Sequence, residues 1–219
     1  MQLIAWKSGF LALTLTITTA CTNSAQTQAQ NPSVTDTGGM PSMDHSGMNH
    51  NMTMDLGPAD ADYDLRFIDS MAPHHQGAVE MAKEAITKSK RPEIKKLSQD
   101  IIKAQNVEIN QMKQWRKAWY PKTGNKPMAY DAKMGHMMPM SQQQMQSMMM
   151  KGDLGAGDAQ FDLRFINAMI PHHEGAVTMA QDALKKTKRP EIKKMAQEII
   201  ASQQKEIEQM KQWRQAWYK

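Results

Sequence analysis

Met71-Ala72-Pro73-His74-His75 occurs twice in this chain, returning as Met169-Ile170-Pro171-His172-His173, 98 positions downstream. The match runs well beyond the motif. Residues 64–120 align with 162–218 without a gap, and about two-thirds of the positions are identical. A self-match at fixed spacing signals one supersecondary unit built twice. The fold therefore has to be read from one copy and then doubled.

In the first copy, Asp64, Phe67, Ile68, Met71, His75, Ala78, Ala82, Ala85 and Ile86 fall on one face at 100° per residue, which predicts an amphipathic helix. Its start lies at Pro58-Ala59-Asp60 and its end near residues 88–90. Pro73 sits inside it and predicts a kink beside the histidine pair. Pro92 suits the first position of a second helix, and Glu93 suits its dipole. Ile94, Leu97, Ile101, Met112, Trp115 and Trp119 form the stripe of that helix, and Tyr120-Pro121 stops it. The second copy repeats the stripe with Ile192, Met195, Ile199, Met210, Trp213 and Trp217. Two helical hairpins, each apolar on one face, bury those faces best against each other. The expected fold is all-α, an antiparallel four-helix bundle over residues 60–219. Repeat one covers 60–120, a methionine-rich connection 121–158, and repeat two 159–219.

The N-terminal part has a different character. Residues 1–20 read as an export signal, with Lys7 before a short apolar run from Phe10 to Thr19 and a small residue, Ala20, at the cut. Cys21 follows Thr18-Thr19-Ala20, a sequence resembling a lipoprotein box with Thr18 where Leu is usual. Cleavage with a lipid anchor on Cys21 and plain cleavage both stay open. Either outcome puts the mature chain outside the cytoplasm, periplasmic or secreted, and a single cysteine leaves no internal disulfide. Residues 21–59 are poor in large aliphatics and predict a disordered arm. The net charge of +5 comes from basic residues interspersed with acids along helices, a solvated face that predicts no nucleic-acid partner.

Methionine is the compositional outlier, with 22 residues against four Phe and four Tyr. Fourteen of them fall in residues 40–54 and 128–150, without the periodicity of a buried helix face. In the arm, Met40, Met43, His45, Met48, His50, Met52 and Met54 place a thioether or imidazole every two to four residues. A flexible chain can wrap one soft ion with such a set, and thioether with imidazole suits Cu(I) and, by the same softness, Ag(I). A polar linker with incidental methionines is the competing reading. In the connection, Met134, His136, Met137, Met138 and Met140 precede Ser141, which could cap a short helix ending at Gly152. Met145, Met148 and Met149 read equally as ligands or as a cover for one end of the bundle.

Inside the bundle, Asp64, Met71, His75, Gln105 and Glu108 converge with Asp162, Met169, His173, Gln203 and Glu206. Burying a carboxylate unpaired costs several kcal/mol, so Glu108 and Glu206 each need a partner or a metal. Met71 and His75 are one helical turn apart and can share an ion. The helix projection turns His74 and His172 about 100° away, onto a flank with Met81 and Met179. Each copy thus offers an inner cluster (Met71, His75, Glu108; Met169, His173, Glu206) and a flanking one (His74, Met81; His172, Met179). A His–Glu hydrogen bond that merely fixes register is the alternative.

The pattern Asp-x2-Phe-Ile-x2-Met-x2-His-His-x2-Ala-x3-Ala, then Arg-Pro-Glu-Ile and Gln-x2-Glu-Ile-x2-Met-x2-Trp, resembles an uncharacterised-domain family of secreted bacterial proteins. The resemblance covers about residues 60–219. It implies a ferritin-like bundle that binds Cu(I), with Ag(I) as a mimic, and leaves Cu(II) open. It further implies Met71, His74, His75, Met169, His172 and His173 as ligands, and a role in copper resistance beside efflux or resistance proteins.

The leading expectation is therefore a non-enzymatic protein that sequesters or carries copper. A ferritin-like di-metal oxidase is the runner-up, but carboxylate-bridged bundles usually carry two Glu-x2-His motifs. Here Glu108 is followed by Gln111 and Glu206 by Gln209. A structural or partner-binding bundle without metal is the third reading. The sequence does not fix the oligomeric state.

Overall fold

The computed structural model describes residues 55–219. Residues 1–20, where an export signal is expected, Cys21 and the stretch from Met40 to Met54, expected to be a disordered arm, lie outside the described residues. The elements, in order, are α1 (Tyr63–Lys88), α2 (Pro92–Trp119), β1 (Met128–Asp131), β2 (His136–Pro139), α3 (Gln142–Met149), α4 (Phe161–Lys186) and α5 (Pro190–Trp217).

The two hairpins are shaped by their prolines. Pro92 and Pro190 open α2 and α5 at the first turn, where no N–H donor is needed. Each holds the preceding Arg91 or Arg189 extended, after the incoming helix has already ended at the extended Ser89 or Thr187. The Ser89 and Thr187 hydroxyls then accept from the N–H groups of Arg91 and Arg189, at 3.1 Å each. Pro73 and Pro171 leave α1 and α4 each a single helix, although each removes one backbone donor beside its histidine pair.

α1 packs along α2, α4 along α5, and α1 against α4. The antiparallel sense of α1 and α4 is fixed where the Tyr63 hydroxyl, at the start of α1, donates to Asp182 near the end of α4 at 2.8 Å. One end of the core gathers Phe67, Met71, Met112, Met179, Met195 and Ile199; the other gathers Met81, Ile94, Ile101, Phe165, Met169 and Met210. This is the antiparallel bundle of two tandem hairpins that the periodicity predicts. The buried face of α1 is wider than one stripe, taking in Leu65, His74, Val79 and Met81, because α1 touches α2, α4 and α3 at once.

Asp64 and Asp162 do not join the central positions. Asp162 lies 3.6 Å from Arg91, and Asp64 lies 3.4 Å from Arg189, so each hairpin's turn reaches an acid on the other hairpin. The same guanidinium groups stack on aromatic faces, Arg91 over Trp217 and Arg189 over Trp119, each 4.0 Å from the ring. Trp119 and Trp217 in turn stack on Trp115 and Trp213. These four tryptophans thus sit half-buried at the bundle ends, in crossed clasps that account for the arginine of the Arg-Pro-Glu motif.

The connection contains a β-hairpin the sequence did not suggest, pairing Met128 with Pro139 and Asp131 with His136. The backbone N–H of Met128 donates to Asp69 at 2.8 Å, and Arg116 holds the same carboxylate, tying the hairpin to the bundle. Met134, His136 and Met138 are exposed on it, while Met137 and Met140 are half-buried. α3 follows with a complete capping box between Ser141 and Gln144. It stops at Met149, short of Gly152, with Met150 in the left-handed region at φ 44°. Only Met148 of this helix is fully buried, where it packs into the core as cover.

Candidate metal centre

All four bundle histidines are buried, with relative exposures of 0% for His74, His75 and His173 and 1% for His172. Their positions on α1 and α4 place His74 and His172 against each other where the two helices cross. Their ring centroids are 3.9 Å apart and the planes are tilted by 45°. The centroids of His75 and His173 lie 6.4 and 6.2 Å from those of their neighbours in sequence. His74 and His172 therefore do not turn to a flank. They face the opposite hairpin, while His75 and His173 face the second helix of their own hairpin.

That second helix supplies the glutamates. His75 Nε2 lies 2.7 Å from Glu108 Oε2, and His173 Nε2 lies 2.6 Å from Glu206 Oε2. The His173 contact has hydrogen-bond geometry; the His75 contact is at ion-pair distance but is poorly aligned. The expectation of deeply buried carboxylates is not met, since the two side chains are 18% and 19% exposed. Water reaches them at the rim, which removes most of the desolvation penalty.

The remaining imidazole nitrogens are unusually free. His172 Nε2 donates to the backbone carbonyl of Met149 at 3.1 Å, which leaves its Nδ1 as the lone-pair nitrogen. That Nδ1, the Nδ1 atoms of His75 and His173, and both nitrogens of His74 have no protein partner. Burial, reinforced by the neighbouring imidazoles, holds His74 well below its ordinary pKa and pushes His172 down to about 3. Both rings are neutral at pH 7, the form that binds metal. The side-chain carbonyls of Gln105 and Gln203, buried in the second helices, are also unpaired.

Met71, Met81, Met169 and Met179 are fully buried. Their grouping crosses the repeats: Met71 packs in one half of the core with Met179, and Met81 in the other half with Met169. The inner and flanking sets within each copy are thus redistributed into clusters shared by both hairpins. Among the described residues, no three His, Cys, Asp or Glu side chains converge as a ready site for an ion. A metal here has to draw on thioethers or turn an imidazole.

Two participants were missed from sequence, the Met149 carbonyl and Gly77. A Cβ at residue 77 would sit 1.8 Å from the Met149 oxygen, so only glycine lets α3 close on the histidines. A glycine inside a helix, where it costs about 1 kcal/mol against alanine, was the available signal.

Fold and centre together define a duplicated four-helix bundle built around four buried histidines. Residues 64–214 match the family described as Domain of unknown function (DUF305), and the chain belongs to that family. It is CopM-like within it. The chain is 44% identical to CopM in its Cu(II)-bound form, with a TM-score of 0.56, covering 71% of this chain and 97% of that one. CopM in its Cu(I)-bound form is 39% identical, with a TM-score of 0.56 over 71% and 98% of the two chains. A DUF305 fragment from Deinococcus radiodurans is 26% identical, with a TM-score of 0.54 over 71% and 96%. An uncharacterized protein of Acanthamoeba polyphaga mimivirus is 49% identical over 49 residues, 22% of this chain, and the match spans about a third of that protein's length, 32%.

Proposed function

We propose that this protein binds Cu(I), and Ag(I) in its place, outside the cytoplasm, and that it stores or carries the ion without chemical turnover. The observation that carries this reading is the group of four buried imidazoles whose lone-pair nitrogens have no protein partner. A buried polar atom without a partner costs free energy, and an ion that accepts those lone pairs removes the cost. Four buried thioethers in the same core add soft donors that need no deprotonation. CopM has been solved bound to Cu(I), Cu(II) and Ag, which supports the same ions here. The export signal at residues 1–20 supports the location, and copper efflux or resistance proteins are the natural donors or acceptors.

The contact of Glu108 and Glu206 each with its own hairpin's histidine favours binding over a carboxylate-bridged oxidase. Titration with Cu(I) under reducing conditions against a competing chelator tests the reading. We expect binding tighter than micromolar, weakened when Met71, His74, His75, Met169, His172 and His173 are replaced. Micromolar binding that survives those replacements would sink it.

A further inference from the structure

We infer that α3 is a removable cover on the histidine cluster, and that its seating sets how fast metal reaches the imidazoles. This rests on reading the cluster as a metal site. The four rings are sealed from solvent, so an ion can arrive only after some element moves. The connection is the element built to move. α3 is an eight-residue helix that leans chiefly on α1 and drives a single side chain, Met148, fully into the core. A helix with so few buried contacts opens at much lower cost than the bundle unfolds.

Its closed position is nevertheless specified closely. The last residue of α3, Met149, presents its carbonyl both to His172 Nε2 and to the surface of α1 at Gly77. The chain then turns through Met150 in the left-handed region, a conformation a residue with a Cβ adopts at a cost. Seating α3 therefore fixes the His172 tautomer and occupies one of its two nitrogens. Lifting α3 frees Nε2 and opens a path to the His74–His172 pair.

The cover is also one-sided. His74, the counterpart of His172 in the first repeat, has no acceptor on either nitrogen. The connection joins the repeats once, so the duplicated halves of the centre are unequal although their sequences are nearly the same. On the adjoining hairpin Met134 and Met138 are exposed and Met137 is half-buried, while Met140 lines a cleft together with Ser147 and Met148 of α3.

Transfer of Cu(I) from a coloured chelator, followed by stopped flow, tests the cover in the full mature chain. Gly77→Ala removes the seat, and Met148→Gln removes the buried anchor without touching Gly77. Hydrogen exchange of the α3 amides reports whether each variant has loosened the helix. We expect faster α3 exchange and Cu(I) uptake and release both accelerated about tenfold or more, with the equilibrium affinity shifted much less. If one variant does not fold, the other carries the test. Loosened α3 with unchanged uptake overturns the cover, and so does α3 exchange unchanged by either substitution. Absence of Cu(I) binding by the unmodified chain overturns the metal reading itself, a separately visible result.

Discussion

His74 of the first repeat and His172 of the second lie ring against ring, 3.9 Å between centroids, where α1 crosses α4. Each is the other's copy. The pair marks the pseudo-two-fold axis of the bundle, so a change at either residue is felt by both hairpins.

The metal-free protein should lose stability in acid through these rings. His172 is held near pKa 3 in the fold and His74 is also strongly lowered, against about 6.5 in the unfolded chain. The folded state prefers neutral rings, so stability is full above about pH 6.5 and falls as pH drops from there toward 3. Urea unfolding at pH 7.5, 5.5 and 4.5 should show a progressive fall. His172→Leu should flatten the slope, and an equal slope in wild type and variant would contradict this account.

The methionines can be separated into packing and ligation. Met71→Leu, Met81→Leu, Met169→Leu and Met179→Leu nearly conserve volume, so each should change stability by less than about 1.5 kcal/mol. If the thioethers hold the ion, combining them should weaken Cu(I) binding by at least about tenfold, or roughly 1.4 kcal/mol. Chelator competition and thermal unfolding on the same samples give both numbers.

Glu108 and Glu206 orient His75 and His173 from the rim. Glu206→Gln keeps the shape and loses the charge, and the loss of an orienting partner of this kind typically costs about 10–100-fold in metal affinity. We expect a loss near the lower end for either glutamine variant, because both carboxylates are partly solvated. Affinity unchanged in both would place the glutamates outside the metal's reach.

The clasps at the bundle ends should prefer arginine to lysine. Arg91→Ala removes an ion pair and a stacked guanidinium, together worth about 1–2 kcal/mol. Arg91→Lys keeps the charge without the planar stack and should recover less than half of the loss, measured by urea unfolding.

Much of the architecture was legible because local rules and the fold agree. Pro92 and Pro190 start helices, Tyr120 and Tyr218 lie just past their ends, and the alternation of apolar stripes gives the two hairpins. The orientation of His74 was not legible, for a physical reason. A helical projection assigns one inner face, whereas α1 is covered on three sides, so a residue 100° from the stripe can be equally buried. Asp64 misled in the same way. It lies on the apolar stripe, but at the first turn of the helix, where the partner is the other hairpin's Arg189 and not the centre. The β-hairpin escaped because Met128–Asp131 and His136–Pro139 carry none of the β-branched residues that mark strands.

The crossed clasps have one more consequence. Arg91 finds its acid and its tryptophan on the second copy, and Arg189 finds both on the first, so neither hairpin can complete its own ends. A chain holding just one copy could close them only by meeting its own image. The present protein carries that meeting inside a single polypeptide, a dimer fused at the seam, and among the described residues the joining stretch 121–152 has no twin.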